Sequence, residues 1–391
     1  MNLKLLNIKL ILEHIIMQPF VLLGRLYAKL NPLSTKHEVF LIFPNADIGG
    51  SIQVNLDLAI CLIDKNPLII FSKKPKNNKF LAKYEGLNLS IIDLHKKIDN
   101  KVCHFVNFFY RGVIVEWACQ QSVQALIGGE CIFFYKIIPH LPKLIKRIEV
   151  LHVDSWLNYN IGFINEISVR VFSTKQLKEK VENQYKQNNV PNSFYSKLKF
   201  IENGLKIIDY PILPNDTMQV YYIGRGAAQK RVHLVAAIAE KIKERDIDIQ
   251  INFVGDVDKI INPALYPYCK FHGSIHDENT MNSIYQKADV LILTSAFEGL
   301  PVVVMQMMAH EKVVVSTAVN SIPNYILHNV NGLLIDAQSE EDIINEGVNH
   351  LINLYEHPDL RISFGKRSKE IAMEKFSMEV FCKEYNQLIT C

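Results

Sequence analysis

The chain has 391 residues, 49% of them hydrophobic, which is enough to bury the cores of two domains. Its formal net charge is only +3, and its basic residues form small scattered clusters. Nucleic-acid binding, which needs one strongly basic face, is therefore a weak alternative. Seven cysteines without a CxxC pair predict free thiols in a reducing compartment, the cytoplasm. No spacing of Cys or His is typical of a metal site.

The first thirty residues are apolar enough to resemble a signal peptide or a membrane span. Glu13, His14 and Gln18 interrupt the apolar run, and no small-residue cleavage site follows it. Pro19 is expected to break a helix there, so we predict no transmembrane span. Spaced apolar residues with basic residues between them fit a helix that lies on a membrane surface. They fit equally well a helix packed on its own domain.

Beyond residue 38, apolar runs of strand length alternate with stretches of helix length. In the first half, strands are predicted at 39–44, 68–71, 89–94, 125–127, 148–153, 170–173 and 198–202, and helices at 51–63 and 175–187. Such alternation is typical of a doubly wound parallel sheet. The following segment, 203–216, contains Gly204, Pro211 and Pro214, and we interpret it as an interdomain linker.

The same pattern restarts after the linker. Strands are predicted at 219–223, 249–254, 289–293 and 313–317, and helices from about 231 to 244 and from about 301. The sequence therefore predicts an α/β protein with two domains of similar size, each a doubly wound parallel sheet.

Two loops of the second half carry polar residues directly after predicted strands. Gly224, Arg225 and Lys230 follow the strand 219–223, and Glu298 follows the strand 289–293. Ligands bind at the carboxyl ends of strands in open α/β sheets, beside helix amino termini that favour anions. Two cations at such a point are typical of a diphosphate site, although for such a pair alone solvated surface cations are the commoner explanation.

Taken in order, these motifs resemble those of the retaining group 1 glycosyltransferases, whose GT-B architecture has two Rossmann-like domains facing across a cleft. The matching motifs between about 219 and 377 are Gly224-Arg225, Lys230, Val254-Gly255-Asp256, Phe271-His272-Gly273, Ala288-Asp289-Val290, Glu298-Gly299-Leu300-Pro301 and Asn331-Gly332-Leu333-Leu334. In the first domain they are Gly49-Gly50, His152, Asp154, Ser173 and Asn203-Gly204. The resemblance implies an acceptor-side domain, 1–205 with a C-terminal helix 377–391 packing back on it, and a nucleotide-sugar-binding domain, 206–376.

The resemblance also implies roles for individual residues of the second domain. Arg225 and Lys230 would hold the diphosphate of the donor and neutralise the leaving nucleotide. Glu298, with the backbone N–H groups of Gly299 and Leu300, would contact the donor sugar and its phosphate.

On the first-domain side, His152 would lie near the transferred sugar, and the Gly49-Gly50 loop would approach the phosphates. The catalytic residues implied are then His152, Arg225, Lys230 and Glu298. Those expected to bind the donor nucleotide are Gly49, Gly50, Gly224, Gly255, Gly299, Leu300 and Gln306.

Four positions depart from the family pattern. His310-Glu311 replaces the glycine usual after a helix, and Asn320-Ser321-Ile322-Pro323-Asn324 replaces a Gly-Gly-x-x-Glu element. Gln306 stands where the family has a glutamate, and an amide binds ribose hydroxyls without the strength of a charged acceptor. Arg231 stands where a glycine is usual. These departures favour the alternative of a catalytically inactive homologue that binds a nucleotide sugar as a partner subunit. A sugar-nucleotide epimerase is a further alternative, whereas a dinucleotide-dependent oxidoreductase is disfavoured because no GxGxxG follows a strand.

The expected function is therefore that of a retaining hexosyltransferase. It would move a hexose-type sugar from a nucleoside diphosphate sugar, most simply a UDP-sugar, to a glycan or lipid-linked acceptor in bacterial surface polysaccharide synthesis. Asp256 and Asp258 resemble a metal-binding Asp-x-Asp pair but follow a strand end, so we predict no required metal or other cofactor. The expected place is the cytoplasm, at the inner face of the cell membrane if the N-terminal helix contacts it.

Overall fold

The computed structural model describes residues 3–47, 49–99, 104–211, 215–275, 277–298 and 301–390. The chain divides into two compact units, Met1–Gly204 with Phe381–Cys391, and Leu205–Val380. Each unit is built on a parallel sheet with helices, so the predicted α/β fold with two doubly wound sheets is confirmed.

The first unit contains a sheet of seven parallel strands in its described residues. They are β1 Val39–Phe43, β2 Leu68–Phe71, β3 Ile91–Asp93, β4 Ala125–Gly128, β5 Lys146–Leu151, β6 Val169–Phe172 and β7 Leu198–Phe200. The order is β3-β2-β1-β4-β5-β6-β7, and the central strands are buried along their whole length because helices cover both faces. The direction of winding reverses between β1 and β4, and ligands bind at such switch points.

Helices of very different length surround this sheet. They are α1 Leu3–Leu30, α2 Gly50–Cys61, α3 Leu81–Glu85, α4 His95–Ile98, α5 His104–Gln120, α6 Ile132–Ile137, α7 Leu157–Asn160 and α8 Lys175–Gln187. Helix α1 continues through Pro19, so the prediction that this proline breaks the helix is wrong. Pro19 lies on the exposed side of α1, where a lost backbone hydrogen bond does not disturb packing.

One face of α1 packs against α5 at very close range. A Cβ on Gly24 would lie 1.9 Å from the carbonyl oxygen of Phe109, and one on Gly112 would lie 2.0 Å from that of Val21. Only glycine allows two helix backbones to approach so closely. Helix α1 is therefore an integral part of the first unit.

The opposite face of α1 is apolar and exposed. Its large exposed side chains are Ile8, Ile11, Leu12, Ile15, Ile16, Leu22, Leu23, Leu26, Tyr27 and Leu30. Their spacing of three and four residues places them on one continuous stripe of the helix, which we call the α1 stripe. By length and composition alone, Ile8–Leu30 could cross a membrane.

The second unit repeats the architecture of the first. Its strands are β8 Met218–Ile223, β9 Ile249–Val254, β10 Lys270–Phe271, β11 Val290–Leu293, β12 Val313–Thr317 and β13 Gly332–Ile335. All pair in parallel in the order β10-β9-β8-β11-β12-β13, with the switch point between β8 and β11. Its helices are α9 Val232–Glu244, α10 Glu278–Lys287, α11 Val302–Ala309, α12 Glu340–Glu356 and α13 Pro358–Phe376. Of the predicted linker, Pro214 lies outside the described residues.

The last helix, α14 Met378–Thr390, runs from the second unit into the first. Within the first unit, Lys146 Nζ donates a hydrogen bond of 3.2 Å to the carbonyl oxygen of Leu388. The prediction of free thiols is wrong for Cys61 of α2 and Cys382 of α14, which form a disulfide across 321 residues of sequence. Cysteine spacing could not reveal this pair, because the return of α14 creates it. The cysteine argument for a reducing compartment therefore no longer holds.

Candidate active site

The predicted residues of the second unit meet at its switch point. The loop after β8, residues 224–230, lies beside the loop after β11, residues 294–298. The backbone N–H of Ala296 donates to the carbonyl oxygen of Gln229 at 2.8 Å, and Gln229 Nε2 donates to the carbonyl oxygen of Phe297 at 2.8 Å. These hydrogen bonds hold the two loops together as one surface.

Lys230 and Glu298 form an ion pair at the centre of this surface. Lys230 Nζ donates to Glu298 Oε1, and Ser295 Oγ donates to the same oxygen at 2.6 Å. The backbone N–H of Glu298 donates to Asn320 Oδ1 at 3.0 Å. Glu298 is only 5% exposed, so its charge depends on these partners. Ser295 is a functional candidate to which the sequence assigned no role, and its only signal was its position beside the Glu298 motif. Asn320 stands where the family has the first glycine of its Gly-Gly-x-x-Glu element, and its contact with Glu298 was not predicted.

Arg231 shows why a glycine is usual at its position. Its φ of 44° lies in the left-handed region, which glycine adopts without steric cost. The Arg231 guanidinium offsets this cost with hydrogen bonds to the end of β11, from Nε to the carbonyl oxygen of Thr294 at 2.7 Å and from Nη2 to that of Ser295 at 3.0 Å. The arginine therefore fixes the loop that carries Glu298.

Arg225 lies on the same surface but is differently placed. Its side chain is exposed, and it forms no ion pair with any residue that the structure describes. Its backbone is fixed, because Tyr222 Oη donates to its carbonyl oxygen at 2.9 Å. The guanidinium is therefore available to an anionic ligand.

Gly224 and Gly255 allow the loop after β8 to pack closely against the loop after β9. Gly255 has a φ of 126°, and a Cβ there would lie 1.8 Å from the carbonyl oxygen of Gly224. The packing of the protein itself thus requires Gly255, whatever ligand binds.

Both oxygens of the Asp256 carboxylate are engaged by the chain itself. Lys259 Nζ lies 2.5 Å from Oδ2, and the backbone N–H of Gly226 donates to Oδ1 at 2.9 Å. The hydrogen bond from Lys259, followed by that from Gly226, lowers the pKa of Asp256 to about 2. Asp256 therefore stabilises the loop of Arg225. Within the described residues, no three His, Cys, Asp or Glu side chains group as metal ligands would.

Of the remaining donor residues predicted for the second unit, the structure describes Gln306, which lies on α11. Gln306 is half-buried on this helix, and its carbonyl oxygen is 2.7 Å from His310 Nδ1. Gly299 and Leu300 lie outside the described residues.

In the first unit, Gly49 ends the loop after β1 and Gly50 begins α2, at the carboxyl edge of the sheet. A Cβ on Gly50 would meet no protein atom within 4 Å, and one on Gly49 would meet only Ile52, at 3.9 Å. The packing of the protein does not require either glycine. The loop is nevertheless fixed, because Asp47 Oδ1 accepts hydrogen bonds of 2.9 Å from the backbone N–H groups of Asn77 and Asn78.

His152 follows β5 at the same edge of the sheet. The backbone N–H groups of His152 and Val153 donate to Glu130 Oε1 at 2.6 and 2.8 Å. His152 Nε2 is buried and has no hydrogen-bond partner among the described residues. Burial lowers the pKa of His152 to about 4, so the imidazole is neutral at neutral pH. The sequence analysis missed Glu130, although Gly128-Gly129-Glu130 directly follows a buried apolar run.

The chain is similar in sequence to known glycosyltransferases. Residues 217–353 match the sequence model of the family described as "Glycosyl transferases group 1". The poly(ribitol-phosphate) alpha-N-acetylglucosaminyltransferase of Staphylococcus aureus is 23% identical over 63% of this chain and 51% of its own length. The chain spans 51–57% of the length of the curated relatives that it matches.

Solved glycosyltransferase structures share the fold over nearly the whole chain. TarM has a TM-score of 0.68 and 15% identity over 92% of this chain and 99% of its own. HepE of Anabaena, solved with UDP and glucose, has a TM-score of 0.64 and 16% identity over 91% of this chain and 100% of its own. The fold is thus that of the GT-B glycosyltransferases. Residues 217–353, within the second unit, match a group 1 glycosyltransferase domain, and the resemblance of this unit to glycosyltransferases of that group is confirmed.

Proposed function

We propose that the protein is a retaining hexosyltransferase that uses a nucleoside diphosphate sugar. The observation that carries the proposal is the cluster of Arg225, Lys230 and Glu298 at the switch point between β8 and β11. It combines an available guanidinium with a buried ion pair, where α/β sheets bind ligands. The match of residues 217–353 to the family supports it.

The cluster can stabilise the charge that develops on a departing diphosphate. In the proposed reaction, the bond from the anomeric carbon to the diphosphate breaks, and both electrons leave with the phosphate oxygen. Arg225 and Lys230 compensate this negative charge, which lowers the barrier, and Lys230 is already held in place by Glu298 before the reaction. Glu298 positions Lys230 and accepts a hydrogen bond from the sugar.

No protein nucleophile is needed in this mechanism. The acceptor hydroxyl attacks the face that the diphosphate leaves, and the departing phosphate oxygen takes its proton, so the configuration is retained. Neutral His152, with its unpartnered Nε2, is suited to a hydrogen bond with the transferred sugar. The open space at Gly49 and Gly50 is suited to close approach of the donor phosphates.

A UDP-sugar is the donor that the comparisons favour. HepE structures hold UDP, glucose and UDP-glucose, and a TarM structure holds UDP. We propose a glycan or lipid-linked acceptor of bacterial surface polysaccharide synthesis and no metal requirement, since the chain itself engages both oxygens of Asp256.

The first test is calorimetric titration of the full chain with UDP, GDP, dTDP, ADP and CDP in the presence of a chelator. We expect UDP to bind at least tenfold more tightly than the other diphosphates. Absence of binding by every diphosphate to the folded protein would refute the proposal. Binding without sugar transfer or donor hydrolysis would instead support the inactive homologue, and conversion of the donor sugar without an acceptor would support an epimerase.

We further propose that the α1 stripe attaches the protein to the inner face of the cell membrane. The only acidic residue of α1, Glu13, is paired with Arg111 and Lys136 of the same unit, while Lys9 and Lys29 are exposed near the stripe. An apolar stripe with exposed cations and no exposed carboxylate complements an anionic lipid surface.

Flotation with vesicles containing anionic lipid tests this attachment. The double variant Leu23→Glu/Leu26→Glu should lower the bound fraction at least fivefold, because it places two carboxylates on the stripe. Each of these leucines is 56% exposed. The control Ile362→Glu/Met373→Glu changes residues that are 54% exposed on α13 and should bind as wild type. Equal behaviour of the two double variants would contradict attachment through α1.

A further inference from the structure

A cavity of about 410 Å³ lies between the first half of α1 and the body of the first unit. Leu10, Ile11 and Ile15 form its wall on α1, and Pro139, His140 and Phe163 lie on the opposite side. Its volume falls in the range of roughly 300–1,000 Å³ that small-molecule sites occupy. The proposed transfer reaction makes no use of it.

The cavity has a buried, positively charged floor. Arg111 Nη1 lies 3.2 Å from Glu13 Oε1, and Lys136 Nζ lies 2.5 Å from Glu13 Oε2. The Arg111 side chain is 3% exposed and that of Lys136 is 11% exposed. Two cations share one carboxylate, so the cluster keeps one net positive charge in a poorly hydrated place. An anionic group is the ligand that such a charge favours.

Two neighbouring groups fit the same interpretation. Tyr159 Oη is buried without a hydrogen-bond partner among the described residues and is electrostatically coupled to Glu13 and Arg111. Glu166 also lines the cavity, but its charge is coupled to Arg147 and Lys197. These two cations offset part of the negative charge that Glu166 brings to the cavity.

The mouth of the cavity is continuous with the α1 stripe. Ile11 and Ile15 line the cavity, yet they are 59% and 63% exposed and belong to the stripe. A molecule with its polar end at Arg111 and Lys136 would leave the cavity over apolar side chains. That path favours an apolar tail and disfavours a compact, fully hydrated anion.

We propose that this cavity binds the phosphate head of a membrane amphiphile, with its hydrocarbon tail passing over Ile11 and Ile15 along the α1 stripe. The inference goes beyond the proposed sugar transfer and does not depend on it. A lipid-linked acceptor and a phospholipid both carry this chemistry. The phosphate head would occupy the cavity, and the tail would lie on the α1 stripe.

Calorimetry with dodecyl phosphate below its micelle concentration tests the proposal on the full chain, with dodecanol and inorganic phosphate as the other ligands. Dodecyl phosphate should bind at least tenfold more tightly than either, because only it satisfies both the charged floor and the apolar exit. Inorganic phosphate binding equally well would mark a free-phosphate site and overturn the proposal. Dodecanol binding equally well would show that the charged floor is not used and would overturn it too.

A matched pair of variants separates the cavity from the outer surface of α1. Ile15 lines the cavity, whereas its neighbour Ile16 does not, and the two are 63% and 64% exposed. Ile15→Asp should weaken dodecyl phosphate binding at least tenfold, and Ile16→Asp should change it less than twofold. Equal effects would place the ligand on the stripe alone and overturn the proposal. UDP binding, measured in the same samples, should be unchanged in both variants.

Discussion

Replacing Arg225 by alanine is expected to weaken UDP binding ten- to hundredfold and to leave the free energy of unfolding unchanged. A hydrogen bond to a charged group contributes roughly 1.5–3 kcal/mol, and about 1.4 kcal/mol corresponds to tenfold in affinity. Stability should not change, because the side chain is exposed and forms no ion pair with the described residues. Calorimetry and urea unfolding measure the two effects, and Arg245→Ala, at an exposed arginine after α9, is the matched control.

Lys230→Ala should lose UDP binding as well, but it should also destabilise the second unit. The variant removes the cation bonded to Glu298, which is 5% exposed, and losing one partner of a buried pair costs about 3 kcal/mol or more. The double variant Lys230→Ala/Glu298→Gln should recover much of the stability without recovering binding. Unchanged UDP affinity in both Arg225→Ala and Lys230→Ala would remove the diphosphate assignment.

A second large effect is expected from Arg170→Met in the core of the first unit. Arg170 of β6 pairs with Glu149 of β5, and both side chains are at most 1% exposed. The same carboxylate accepts a hydrogen bond of 2.7 Å from Tyr135 Oη, and Arg170 Nη1 donates to Tyr185 Oη at 3.0 Å. Removing the arginine leaves a buried carboxylate without its cation, which typically costs about 3–5 kcal/mol.

Tryptophan fluorescence during urea unfolding can follow this loss in the first unit. Both tryptophans of the chain, Trp117 and Trp156, belong to that unit. Arg367→Met is the control, since Arg367 pairs with Glu370 at the surface and its loss should leave the transition unchanged. An equally small shift for Arg170→Met would show that the buried pair does not stabilise the unit. Sugar-nucleotide binding should persist in any folded fraction.

Local apolar pattern was sufficient to predict most of the strands. The predicted bounds of β2, β9 and β12 agree with the structure, because each is a short run rich in β-branched and aromatic residues, most of which the parallel sheet buries. The motifs that follow β8 and β11 predicted that Lys230 and Glu298 lie in one site, and the structure brings the two side chains together. Their roles in catalysis remain predictions.

What the sequence could not predict depends on contacts between distant segments. The Cys61–Cys382 bond exists because α14 returns to the first unit. Glu130 and Asn320 acquire their partners only when neighbouring loops converge at one sheet edge. The close approach of α1 to α5 depends on two glycines in distant segments, Gly24 and Gly112, and no local periodicity carries that information.

The discontinuity of the first unit constrains the order in which the nascent chain can fold. Residues 205–380, which form the second unit, are all synthesised before residues 381–391, which complete the first. Domains generally close from the N-terminus as the ribosome delivers them. In this protein the sequence of the second unit is complete at a point where the first unit still lacks residues 381–391. During translation the first 204 residues therefore remain without this helical segment until residues 381–391 have been synthesised.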